Sequence, residues 1–168
     1  MLALSGGVDS VALLSILLEL APTLRFSLRA VHVNHGISPN AARWADFCAG
    51  MCRDLRVPLQ IETVDIAPFR TLGLEGAARR ARYEMLAQID ADFVVLAHHR
   101  DDQAETLLLQ LLRGTGLRGL AGMPLLRALP GTRAQLLRPL LDVPRAAIEA
   151  YARARGLAWV EDESNADS

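Results

Sequence analysis

The stretch Leu4-Ser5-Gly6-Gly7-Val8-Asp9-Ser10 runs straight into VALLSILLEL (11–20), and its reading decides how the rest of the chain is organised. Ahead of it, the apolar MLAL (1–4) reads as a short strand, while the apolar run behind it has the length of a helix. Two glycines, two hydroxyls and a carboxylate therefore occupy a strand-to-helix turn. Glycine at such a turn lets a ligand approach the backbone closely, and the first N–H groups and the dipole of the following helix then face an anion. A phosphate suits the loop. It is not a Walker A loop, because G-x-x-x-x-G-K-[ST] requires a lysine and this chain has none, and it is not G-x-G-x-x-G. The residues alone leave open a plainer turn, capped by Asp9 or Ser10, that binds nothing.

Outward from the loop, apolar runs alternate with helical patterns. A helix is predicted from about Asp9 to Leu20, then a strand in SLRAVHVNHG (27–36). A helix follows in SPNAARWADFCAGMCRDL (38–55), with Ser38 as cap and Pro39 at its first position, and then a third strand in PLQIETVDI (58–66). EGAARRARYEMLAQI (75–89) reads as a helix with Ala78, Ala81, Met85 and Ile89 along one side. DFVVLAHH (92–99) is a fourth strand, and DDQAETLLLQLLR (101–113) a helix that stops at Gly114. The Gly- and Pro-punctuated GTGLRGLAGMPLLRALPGTRAQ (114–135) loosens the pattern before a fifth strand in QLLRPLL (135–141) and a last helix in VPRAAIEAYARARG (143–156), with Pro144 near its start. Strand-helix repetition predicts an α/β domain, a Rossmann-like open parallel five-stranded sheet with helices on both faces. Buried strands of such a sheet read as unbroken apolar runs, as FVVLA (93–97) does. No repeat and no linker divides the chain, so residues 1–168 are expected to form a single domain.

The 168 residues are 51% apolar and 22% charged, a globular composition with enough chain to bury a core. VALLSILLEL is interrupted by Ser15 and Glu19, falls short of a membrane span, and has no Lys or Arg before it as a signal peptide would. A soluble, cytoplasmic protein with no membrane partner is expected. Every basic side chain is Arg and the net charge is −1, so no basic excess advertises a nucleic-acid binder. Cys48 and Cys52 lie four apart on a predicted helix, and no C-x-x-C occurs, so a buried, reduced pair is expected rather than a zinc or redox site.

In an open parallel sheet, ligands bind outside the carboxyl ends of the strands, where strand order reverses. Three predicted strands end there in polar residues: the first in Ser5-Gly6-Gly7, the second in His32, Asn34 and His35, the fourth in His98-His99-Arg100-Asp101-Asp102. Asp101 and Asp102, at a helix start beside a phosphate loop, are candidate magnesium ligands, directly or through water, or would steer a cationic substrate. The competing reading is a D-x-x-E capping box of Asp102 and Glu105. For His32 and His35 the competing reading is a hydrogen-bonded histidine at a strand end. Arg79 and Arg82 share a helix face with Glu75 four before Arg79, and either face phosphate or form a solvated, ion-paired surface. RGTGLRGLAGM (113–123) is too glycine-rich to pack a core and is read as a mobile loop beside the site.

With these residues in place, SGGVDS (5–10) resembles the pyrophosphate-binding loop of the N-type ATP pyrophosphatases, which split ATP into AMP and pyrophosphate. In order and spacing, VHVNHGIS (31–38), EGAARRARYEML (75–86), LAHHRDDQAETLLLQLLRGTGLRGLAGM (96–123), LLRPLL (136–141) and WVEDESNAD (159–167) resemble the catalytic domain of the tRNA(Ile)-lysidine synthetase family. The resemblance covers nearly the whole chain. The tRNA 2-thiocytidine enzymes have a similar H-x-x-D-D block and R-P-L segment but carry C-x-x-C pairs, which this chain lacks, so thiolation is disfavoured.

The resemblance implies an adenine nucleotide alpha hydrolase-like fold, ATP and Mg2+ as cofactors, and a two-step ligation. O2 of the wobble cytidine of tRNA(Ile), the tRNA with a CAU anticodon, attacks the α-phosphate of ATP and releases pyrophosphate. The amine of free L-lysine then attacks C2 and expels AMP. Ser5, Gly6, Gly7 and Ser10 would hold the pyrophosphate, Asp9 and Asp101 magnesium, and His32, Asn34 and His98 would lie near the nucleotide. The catalytic set would be Asp9, Asp101, Asp102, Arg79 and Arg82, with Asp101 and Asp102 serving magnesium or the lysine ammonium. His35, Arg113, Gly114, Gly116 and Arg138 would touch substrate or RNA. A homodimer is compatible with the family. The family usually continues past SNAD (164–167) into a basic segment and further tRNA-binding domains, so this chain by itself is expected to bind ATP yet modify tRNA poorly. Two rivals remain: another AMP-forming or thiolating tRNA enzyme with the same loop, and a module that binds ATP without turnover. Simple binding would not require the carboxylate pair after strand four.

Overall fold

The computed structural model describes residues 1–112, 114 and 122–161. Its strands are β1 (Leu2–Ala3), β2 (Ala30–Asn34), β3 (Leu59–Thr63), β4 (Phe93–Val95), β5 (Leu126–Ala128) and β6 (Gln135–Leu137). The helices are α1 (Val8–Leu24), α2 (Ala41–Asp54), α3 (Gly73–Leu86), α4 (Arg100–Leu112) and α5 (Arg145–Ala154), with a 3-10 turn at Ala67–Leu72 leading into α3. The strands form one sheet in the order β3-β2-β1-β4-β6-β5. All neighbours are parallel except β5 and β6.

Side chains alternate between the two faces of the sheet, as the pleat requires, and both faces are buried. Leu2, Leu4, Ala30 and Val95 pack with Leu13 and Leu14 of α1, Cys48 and Cys52 of α2 and Ile148 of α5. Met1, Val31, Val94 and Leu96 turn the other way, onto Leu86 of α3 and Leu136. Burying one such Leu or Val side chain contributes about 1.5–3 kcal/mol, which is how a two-residue β1 holds the centre of the sheet. Backbone pairing extends it, with Leu2 N–H donating to Arg29 O and Leu4 N–H to Val31 O, both at 2.8 Å.

The sheet has six strands rather than the expected five. The five expected strands are all present. The sixth, β5, lies in the segment that Pro124, Pro130 and Gly131 make look irregular. It pairs antiparallel with β6 across a turn in which Gly131 has φ +80°. Three exposed residues carry too little apolar pattern to announce an edge strand. Helix bounds shift as well. α1 continues to Leu24 through Pro22, which has no N–H for the Leu18 carbonyl and so forfeits that one helix hydrogen bond. α2 starts at Ala41, since Ser38 Oγ accepts the Asn40 N–H (3.1 Å) in a turn ahead of the helix. On α3 the buried positions are Ala77, Ala81 and Leu86. None of α4 is buried, so Leu108, Leu109, Leu111 and Leu112 stand exposed. Among the described residues no helix is long and apolar enough to cross a membrane.

Candidate active site

Strand order reverses at β1, which has β2 on one side and β4 on the other. This is the switch point where an open α/β sheet leaves a crevice beyond its strand ends. A cavity of about 830 Å³ lies there, and its walls include Ser5, Asp9, Ser10, His32, Asn34, His35, Arg82, His98 and Asp102. Nine of the sequence-predicted site residues therefore line one space. The fold brings them together because each lies in or just after one of three neighbouring strands or, for Arg82, on α3.

The loop after β1 is braced by its own side chains. Ser10 Oγ donates to Gly7 O (3.0 Å) and accepts the Gly6 N–H (3.2 Å). Ser5 Oγ lies 3.0 Å from Ser10 Oγ and accepts the Gly7 N–H at 3.3 Å. The glycine N–H groups are thus occupied internally. The donors left for an anion are those of Val8, Asp9 and Ser10, in the first turn of α1, which no helical carbonyl can reach. Gly6 has φ +93°, and a Cβ there would come within 3.0 Å of Val160 Cγ2 and 3.2 Å of Cys48 Sγ. Val160 N–H donates to Gly6 O (3.0 Å), so the segment after α5 straps the loop down.

Asp9 faces the cavity from the first turn of α1. Its Oδ1 is buried without a hydrogen-bond partner among the described residues, and its Oδ2 lies 3.7 Å from His99 Nε2. An orphaned buried carboxylate oxygen beside helix N–H groups fits a divalent cation that takes its remaining ligands from phosphate and water. No three His, Cys, Asp or Glu side chains converge as a metal cage among the described residues. Burial pushes the Asp9 carboxyl above its usual range, against the pull of His99 and Arg145. The folded state therefore holds that proton more readily than the unfolded chain, and ionising Asp9 costs stability as pH rises through the raised folded value. Asp9→Asn should accordingly raise the melting temperature of the metal-free protein near neutral pH and leave it unchanged in acid. Calorimetry across pH tests this; a variant that is less stable at neutral pH would contradict it.

The two carboxylates after β4 separate in role. Asp102 Oδ2 accepts the His99 N–H at 2.7 Å, while Asp102 N–H donates to His99 Nδ1 at 3.4 Å. This is a capping box closed between His99 and Asp102, three residues before the expected Asp102–Glu105 pair, because α4 begins at Arg100. Asp102 still borders the cavity. Asp101 does not: it is exposed, and its Oδ2 accepts the Arg145 N–H at the start of α5 (3.3 Å). Asp101 thus meets the start of α5, whose Arg145 acts on Asp9 from the same side.

His32 is buried, with Nδ1 2.9 Å from Leu4 O. A carbonyl only accepts, so Nδ1 carries a proton. Asn34 Oδ1 accepts the Gly36 N–H (2.8 Å) and turns the chain out of β2. His35 Nδ1 is buried without a partner among the described residues, and burial and Arg82 lower its pKa. Arg82 is half-buried on the cavity wall and makes no hydrogen bond or ion pair with any described residue. The ion pair on this helix is Arg80–Glu84 (2.8 Å) and not Glu75–Arg79, one of the two alternatives the sequence left open, and Arg79 stacks on Tyr83 at 5.6 Å, with Arg127 also on that ring at 5.8 Å. Arg138, expected to touch substrate or RNA, is 1% exposed, which leaves no surface for RNA: its guanidinium lies inside, against His98, Pro124 and Tyr83. Gly114 closes α4 with φ +67°, about 20 Å along that helix from its start at the cavity. Arg113 and Gly116 lie outside the described residues.

A second hollow of about 350 Å³ adjoins the other side of the loop, between Ser5, Gly7, Asp9 and Trp44 and the α5 residues Arg145, Glu149 and Arg153, with Trp159 beyond. Trp44 borders both spaces. Sequence reasoning passed over Trp44, Arg145, Glu149 and Arg153 as site residues. Their one local signal was Pro144-Arg145 at a helix start, and only the packing of α5 against α1 makes them neighbours of the loop. Cys48 and Cys52 are free and buried, and burial pushes the Cys48 thiol up to about 12. They pack the core, as expected.

Comparison with known proteins agrees with this geometry. The PP-loop domain profile matches residues 1–168. The tRNA(Ile)-lysidine synthase of Chromobacterium violaceum is 55% identical over 166 residues, 98% of this chain and 38% of that protein. That of Nitrosomonas europaea is 50% identical over 167 residues, 99% of this chain and 36% of that protein. The chain thus spans less than two fifths of the curated relatives it matches. Among solved structures, the U34-tRNA thiolase NcsA from Methanococcus maripaludis, with its [4Fe-4S] cluster, superposes with a TM-score of 0.75 at 19% identity over 95% of this chain and 58% of that one, a likeness of fold. A glycine loop held between β1 and α1, at the switch point of a sheet matched from first residue to last, places this chain in the PP-loop domain family.

Proposed function

We propose that the chain is the ATP-using catalytic domain of a tRNA(Ile)-lysidine synthase, forming lysidine at the wobble cytidine through an adenylated tRNA intermediate. The observation that carries the reading is the convergence of Arg82, unpaired among the described residues, and the α1 N-terminus on one cavity, in a chain half identical to such enzymes along nearly its full length. A cation without a carboxylate partner and a row of helix N–H groups complement a polyphosphate.

In this reading the α1 first turn and Arg82 hold the phosphates of ATP, and Mg2+, when bound at Asp9, supplies further charge neutralisation there. The cytidine O2 attacks the α-phosphate, the bond to the bridging oxygen breaks, and pyrophosphate leaves. The lysine amine then adds at C2, loses a proton, and AMP departs with the former O2. A ring carbonyl oxygen is a poor leaving group until adenylation makes it part of AMP. The protein's part is positioning and neutralisation of charge. Asp102, at the cavity rim, is the carboxylate placed to meet the lysine ammonium, with Asp101 displaced toward α5. Thiolation is the weaker alternative, because both cysteines are buried in the core.

Release of AMP and pyrophosphate, with radiolabelled lysine and with or without tRNA(Ile), tests the reading on a protein of full family length. Lysine-dependent turnover with tRNA(Ile) is expected; turnover driven by sulfide or another amine sinks it. The 168-residue chain alone should still bind ATP. At about a hundredfold excess over its dissociation constant, ATP should add about 2.7 kcal/mol of stability, read as a rise in melting temperature. Lysidine formation by the isolated chain as fast as by the longer protein would contradict the expectation that it modifies tRNA poorly alone.

A further inference from the structure

Arg138 is the largest fully buried side chain, and no carboxylate meets it among the described residues. Its Nε donates to His98 Nδ1 at 3.1 Å, Nη1 to Pro124 O at 2.9 Å and Nη2 to Tyr83 Oη at 3.3 Å. A buried cation with neutral partners costs stability, and well-packed apolar residues would fill the same space at least as well. Its contacts therefore ask for a reason beyond packing.

We propose that Arg138 is a positioning residue that fixes His98 as a neutral imidazole with its proton on Nε2, a standing hydrogen-bond donor toward an oxygen of the bound nucleotide or of its acceptor. The first half follows from hydrogen-bond chemistry alone. A guanidinium has only donors and keeps its charge at every accessible pH, so His98 Nδ1 is the acceptor and the proton sits on Nε2. A second ring proton would set two N–H groups against each other at 3.1 Å, beside a cation with no water to screen it. The second half rests on the ATP reading of the cavity, whose wall includes His98. No described residue takes its Nε2.

The other charges around the ring act in the same balance. Arg79 and Arg82 on α3 disfavour a charged imidazole, and Asp102 on α4 favours it. Burial and then Arg138 dominate, and together they push His98 down to about 4. His98 is thereby excluded as a general base, since taking a proton on Nε2 would require the tautomer that Arg138 forbids. His32, across the same cavity, is held in the opposite sense by Leu4 O. Leu4 O thus keeps a proton on Nδ1 of one ring, and Arg138 keeps Nδ1 of the other ring bare.

Ring-15N spectra of the intact chain, which has four histidines, test this. His98 should show a pyridine-type Nδ1 and a pyrrole-type Nε2, unchanged between about pH 5 and about pH 8, where an ordinary imidazole titrates. Arg138→Met should fold, free Nδ1 to take a proton, move the His98 titration upward while burial still holds it below its ordinary value, and make ATP affinity follow that titration. Arg138→Lys keeps one donor for Nδ1 and should restore the fixed tautomer. A wild-type His98 protonated on Nδ1, or titrating near its ordinary value, overturns the proposal, and needs no variant to fold. So does an Arg138→Met protein in which the His98 signals are unchanged. A fixed tautomer in a protein that binds no ATP would overturn the nucleotide as acceptor while leaving the link between Arg138 and His98 standing, so the two readings fail separately.

Discussion

Replacing Arg82 by methionine is expected to lower ATP-dependent pyrophosphate release by about 10²–10³-fold, the loss measured when one pre-aimed donor is removed from a charge-stabilising site. The side chain lies on the cavity wall, burial disfavours its charge, and no described residue pairs with it. Its charge is therefore retained against a desolvation cost that an incoming phosphate would relieve. Because no described residue forms a hydrogen bond or ion pair with that charge, methionine should leave the melting temperature unchanged or raise it. The prediction thus separates two roles: loss of rate without loss of stability assigns Arg82 to phosphate. Loss of both would make it structural, and turnover within about threefold of wild type would remove it from the site. Arg79, stacked on Tyr83 and exposed, should cost far less when changed, since a surface cation–π contact is worth about 0.5–1 kcal/mol.

Gly6→Ala is expected to destabilise the protein by about 2–6 kcal/mol and to abolish ATP binding. Two costs add. A side chain at φ +93° is strained by about 1–3 kcal/mol, and the new methyl would press into Val160 and Cys48, an overpacking of about 1–3 kcal/mol. Relief would come only by moving the Val160 strap or the loop, and either displaces the first turn of α1 that presents its N–H groups. Gly7 is the internal control. Its φ is −72° and the nearest atom to an added Cβ is Ser5 Oγ at 3.6 Å, so Gly7→Ala should cost under about 1 kcal/mol. Urea unfolding and ATP titration of the pair would decide the matter. Equal stability of the two variants would mean that Gly6 is present for ligand access and not for its conformation.

Much of this architecture was legible in the residues because it rests on local patterns. Alternation of apolar runs with helical segments announced the parallel sheet, and polar residues closing three separate strands announced its functional edge. Cys48 and Cys52 sat on an apolar helix side and were found in the core. What escaped notice was non-local. β5 is three exposed residues that become a strand only because β6 lies beside them. Asp101 and Asp102 look interchangeable in sequence, yet one residue of helical rotation turns Asp101 to the start of α5 and leaves Asp102 on the cavity rim. Arg138, in LLRPLL, was expected to touch substrate or RNA, and only its place just after β6, the strand beside β4, makes it the partner of His98.

The sequence by itself therefore determined the class of fold, the glycine loop between β1 and α1, and the set of residues gathered at its edge. Each of these follows from the period of side chains along a strand or helix and from what glycine alone permits. Tertiary structure alone decided which donors the loop leaves for an anion, which carboxylate faces the cavity, and which way each histidine carries its proton. Those depend on hydrogen bonds between residues as far apart as Leu4 and His32, or His98 and Arg138, and no spacing along the chain encodes a tautomer.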